Sequence, residues 1–71
     1  MNKKQALNSL EGAEYWARRA YDDVNESLHI RARMHVLALV ESMAQACLAV
    51  GLTREEVLKR VGDALTVDNS G

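Results

Sequence analysis

The sequence predicts an all-α chain, a helical hairpin plus a short third helix, dimerising into a helical bundle. Three observations carry this prediction. The composition is helical, with no proline, no phenylalanine and only four glycines in 71 residues, while alanine, leucine, glutamate and arginine dominate. Apolar residues recur at spacings of three and four. The segment Val36 to Val50 is apolar at twelve of its fifteen positions, and its exceptions Glu41, Ser42 and Gln45 fall within about 100° of one another on a helix. That leaves about 260° of apolar circumference, far wider than the stripe of a surface helix, so this segment has to be covered on several sides.

The first helix has two candidate starts, since Asn2 with Gln5 and Asn8 with Glu11 both have the pattern of a capping box. Beyond them Leu7, Leu10, Ala13, Ala17, Ala20 and Val24 form an apolar stripe flanked by Tyr21, with Trp16 at its edge as an amphipathic core or dimer-seam residue. Glu14, Arg18 and Asp22 succeed one another at four-residue steps and Arg19 faces Asp23, the pattern of a solvated face. Asp22 to Ser27 is rich in poor helix formers. Asp23 with Glu26 again resembles a capping box, which favours a turn here and a new helix running to Val50; the alternative is one continuous rod.

Gly51, directly after the apolar run, suits the left-handed conformation that ends a helix. Thr53 with Glu56 is a capping box, and Leu52 stands where it could pack on Val57. A third helix is therefore predicted over Arg54 to Leu65, with Val57, Leu58, Val61 and Leu65 inward and the pairs Glu55 with Lys59 and Glu56 with Arg60 outward. The reading is one helical domain over residues 1–67 and a disordered polar tail over 68–71.

A chain this small buries a modest fraction of its surface and usually needs a staple. Cys47 is the only cysteine, so no internal disulfide can form, and a single thiol inside an apolar run suits a reducing compartment. Self-association is the staple that remains. The amino end lacks the apolar run of a secretory signal and the central run is too short to span a bilayer, so a cytoplasmic location without membrane partners is expected. A net charge of −1 does not supply the basic balance that marks most nucleic-acid partners.

His29 and His35 are the natural candidates for metal ligation, but their spacing points them about 120° away from a shared face, and Cys47 lies three turns on, so no metal and no cofactor are expected. Each glycine stands alone, without a phosphate-binding loop, and a three-helix chain offers little room for a dry catalytic cleft. No catalytic residues and no enzyme activity are predicted. A turn near Asn25 would gather Arg18, Arg19, His29, Arg31, Arg33 and His35 into a basic cluster, among which Asp22, Asp23 and Glu26 act as neutralising neighbours.

Between Gln45 and Val61, small residues Ala46 and Cys47, then Gly51, Leu52 and Val57 partly resemble a helix-turn-helix unit, about a quarter of the chain. The resemblance implies DNA contact through Arg54 and Lys59. Arg60 departs from it by standing at an apolar position, and Glu55 and Glu56 put negative charge at the start of the would-be recognition helix. The function expected first is a non-enzymatic homodimer acting as an interaction or regulatory module, with itself and an unidentified protein as partners. Its interface or core would comprise Val36, Leu37, Leu39, Val40, Met43, Ala44, Cys47, Leu48 and Val50. A dimeric DNA-binding regulator is the alternative.

Overall fold

The computed structural model describes residues 1–68 as three helices, α1 (Lys3–Asn25), α2 (His29–Ala49) and α3 (Arg54–Asp68), with no strand among the described residues. The all-helical prediction and the hairpin hold. Asn2 is the cap of α1: its side chain accepts from the Gln5 N–H at 3.0 Å. Its own backbone N–H donates to the Ala49 carbonyl at 3.0 Å, which ties the start of α1 to the end of α2.

The chain does break after Asn25, but not through the Asp23 and Glu26 capping box. The Ser27 N–H donates to the Val24 carbonyl and the Leu28 N–H to the Asp23 carbonyl, with Ser27 at φ 60°. This is a Schellman turn with serine in the place that glycine usually takes. Leu28 precedes α2 and gives it no side-chain cap. The same geometry closes α2, where Gly51 at φ 97° bonds the Leu48 carbonyl and Leu52 bonds the Cys47 carbonyl. There the glycine was legible in advance.

Helices α1 and α2 meet along a seam of small residues. Ala6, Ala13 and Ala20 are buried on α1 with Ser9 and Trp16 between them, and Ala32, Ala46 and Ala49 are buried on α2 with His35, Leu39 and Ser42 between. Each set keeps the alternating three-and-four spacing of a coiled-coil seam. The helices approach so closely that a Cβ built on Gly12 would lie 3.3 Å from Ser42 Oγ.

This corrects the predicted stripe. Its Ala13 and Ala20 are buried as expected, but Leu7, Leu10, Ala17, Val24 and the flanking Tyr21 are exposed, because the backbones come together through residues one position earlier than the large ones, whose small side chains permit the approach. The third helix also differs from expectation. Of its inward set only Val57 is half-buried, whereas Leu58, Val61 and Leu65 are exposed, since α3 makes sparse contact with α2 and none with α1 among the described residues. It runs on to Asp68; the rest of the expected tail lies outside the described residues. The outer-face ion pairs form differently too: Lys59 binds Asp63 at 3.3 Å, Arg19 binds the Tyr15 hydroxyl, and Asp23 is buried.

The resulting shape is a slab. Its Cα extents are 38 × 33 × 14 Å and its radius of gyration is 13.7 Å, against about 11 Å for a compact domain of this length.

Candidate functional site

Two features stand out from the hairpin: a buried polar knot near the turn and a broad apolar face. The knot is centred on Asp23, only 3% exposed. His35 Nδ1 donates to Asp23 Oδ2 at 2.5 Å, and Arg31 Nε lies 3.8 Å from Oδ1. Trp16 stacks on the His35 ring with centroids 5.4 Å apart, and Tyr15 meets Trp16 edge-on at 4.9 Å. Trp16 is thus the apolar lid of the knot. Asp23 continues the α1 seam three residues after Ala20, and His35 follows Ala32 in the same way. Both sit at core positions, so each needs a partner there, and no buried side-chain N or O among the described residues is left without one.

The basic cluster is divided by this pairing. Arg31 and His35 are drawn to Asp23, and Arg33 points about 160° away from Arg31 on α2. Arg19 donates to the Tyr15 hydroxyl through Nε at 3.1 Å and Nη2 at 2.8 Å, a bond that raises its already high pKa further. Arg18 and Arg19 line a wide, shallow concavity of about 930 Å³ together with Glu11, Glu14 and Asp22. Its two signs of charge are mixed, so it presents no single-sign field to a ligand. His29 stands at the exposed start of α2, apart from His35 and Cys47, and no group of three or more metal-ligating side chains occurs among the described residues.

The apolar face follows from helix geometry. Each residue advances about 100° around its helix, so the residue after every seam position lies on a second stripe beside the seam. On α1 these are Leu7, Leu10, Glu14, Ala17, Tyr21 and Val24; on α2 they are Arg33, Val36, Val40, Met43, Cys47 and Val50. Because the two helices are antiparallel, the same rotational step about opposed axes carries both stripes to the same side of the hairpin. All eight large apolar members of the two stripes, Leu7, Leu10, Tyr21, Val24, Val36, Val40, Met43 and Val50, are exposed, Tyr21 and Val24 reaching 69% and 66%.

At its α2 edge this face deepens into a cleft of about 680 Å³ between α2 and α3. Leu39, Val40, Met43, Ala44 and Cys47 form one wall, Val57 and Val61 the other, Leu52 lies at the corner, and Glu56 and Arg60 supply the charged groups. Five of the nine residues expected at an interface or core therefore line one cleft. Val36 lies further along the same face, and Val50 beyond the other end of the cleft. Leu37 and Leu48 point roughly opposite the seam, with Leu37 64% exposed.

The Gly51 corner is held by the reciprocal capping box: the Thr53 N–H donates to Glu56 Oε1 at 2.9 Å and the Glu56 N–H to Thr53 Oγ1 at 3.1 Å. The first of these bonds holds the Glu56 carboxyl below its ordinary range. Arg54 and Lys59 lie about 140° apart around α3, so they do not share one face, and Lys59 is engaged with Asp63.

No family model matches the chain, and no similar protein is found among curated proteins or solved structures. No described helix is long and apolar enough to cross a membrane.

Proposed function

We propose that the chain is a non-enzymatic, all-helical interaction module that works as a homodimer, with a regulatory role exercised through a protein partner. The observation that carries this reading is the one-layer slab with a continuous apolar face. Stable domains enclose their core between at least two layers, and a contiguous apolar surface of more than a few hundred Å² marks an interaction site. The chain exposes 5993 Å², whereas a compact monomer of its mass would expose about 4,400 Å². The excess is of the order that each partner buries in a stable interface, about 800 Å² or more.

A second copy supplies the missing layer at no cost in new sequence, because a two-fold axis brings identical faces together. Ile30, Met34, Leu37 and Leu48 remain exposed on the far side of α2, which offers a separate apolar stripe to a further protein. Among the described residues His35 makes no hydrogen bond to a serine, threonine or cysteine, so its pairing with Asp23 is read as structural. Multi-angle light scattering at micromolar concentration should give twice the 7.9 kDa mass of the chain. A single-chain mass with full helicity would overturn the homodimer.

A further inference from the structure

We propose that in the homodimer α1 of each copy inserts its Leu7, Leu10, Ala17 and Tyr21 stripe into the cleft between α2 and α3 of the other. This deepens the dimer reading and rests on it. The cleft and the α1 stripe lie on the same side of the chain, yet α1 and α3 have no contact. Each chain therefore carries an empty apolar groove and an uncovered apolar helix that do not meet within the same molecule, since both open to the same side of the hairpin.

The groove fits a helix. About 680 Å³ of space separates walls that are almost wholly apolar, and Leu7, Leu10, Ala17 and Tyr21 share one face of α1 at i, i+3, i+10 and i+14, with Glu14 at the intervening i+7 place. Val61 faces the cleft while Leu58 and Leu65 stay exposed beside it; a helix laid against α2 and α3 together covers both sets, whereas packing hairpin on hairpin alone leaves α3 bare. Charge agrees. Glu14 is the only charged side chain in the α1 stripe, Arg60 is the only cation lining the cleft, and neither has an ion-pair partner among the described residues. A two-fold axis makes the insertion reciprocal, so one contact fills two clefts.

The test is cross-linking in full-length chains with Cys47→Ser. One tagged chain carries Leu10→Cys and a differently tagged chain carries Val61→Cys; they are mixed and treated with a short bis-maleimide. The expected product joins the two tags, and Tyr15→Cys in place of Leu10→Cys should abolish it, because Tyr15 lies on the other side of α1. In the otherwise native chain, Leu10→Asp should retain helicity and weaken dimerisation by more than about tenfold. A chain that is dimeric by light scattering but forms no Leu10 to Val61 product, or whose dimerisation ignores Leu10→Asp, overturns the insertion and leaves the homodimer standing. A monomeric chain overturns both.

Discussion

At the scale of single residues, Asp23 is the group on which the hairpin depends most sharply. Removing His35 leaves its carboxylate buried with only the longer Arg31 contact. His35→Leu should therefore cost about 1–3 kcal/mol, the penalty of a buried polar group left unpaired, while Asp23→Leu with His35→Leu should cost less than His35→Leu alone. Urea titration monitored by circular dichroism reads both. Ser27 offers a change of the opposite sign. It occupies φ 60°, a conformation unfavourable for any residue with a Cβ, so Ser27→Gly should stabilise by about 0.5–1 kcal/mol. An unchanged or lowered midpoint would show that its left-handed geometry carries no strain.

At the scale of elements, helix ends marked by a dedicated residue, the Thr53 and Glu56 pair or Gly51, were legible, and the turn closed by Ser27 was not. Thr53 with Glu56 forms the bonds its spacing predicts; Asp23 with Glu26 has the same spacing, but Asp23 belongs to the seam and is consumed by His35. Helix existence was readable from three-and-four periodicity, yet the choice of face was not. Large apolar side chains dominate a periodicity argument, and here they mark the uncovered stripe, while alanines one residue earlier make the intrachain contact. The exact seven-residue recurrence of Ala6, Ala13 and Ala20 was the available signal.

The capping box also has a pH signature. The Glu56 carboxyl is lowered from its ordinary 4.5, so its contribution is complete above that value and is lost as pH falls through the lower folded value. Thr53→Ala should cost about 1 kcal/mol at neutral pH, and Glu56→Gln should flatten the acid limb of the stability curve. Thermal melts between neutral and strongly acidic pH would show a parallel limb if the box contributes nothing.

At the scale of the whole molecule, the sequence pointed to surplus apolar surface, and the slab shows where that surplus lies. The central helix cannot be covered by α1 and α3, because α1 takes one narrow side and α3 stands away from it. What periodicity could not supply was the angle of departure at Gly51, which is set by two backbone hydrogen bonds and a single torsion. If association completes the core, folding and dimerisation are linked by mass action. The melting temperature should then rise with protein concentration. A concentration-independent melt would mean that the single layer is stable by itself.

The seven-residue spacing of the buried alanines has a further consequence for alignment. Sliding α1 along α2 by two turns, about 10 Å, would bring alanine back to where alanine had been on α1, so the alanines by themselves are nearly degenerate in translation, although Trp16 would lose its place against His35. Two contacts lift that degeneracy, one at each end: Asp23 with His35 beside the turn, and the Asn2 N–H with the Ala49 carbonyl at the open end. A displaced alignment would bury Asp23 against methyl groups and leave Asn2 facing solvent. The polar knot, with Trp16 stacked on His35, thus acts as an index mark, selecting one of the registers that the alanines alone would accept.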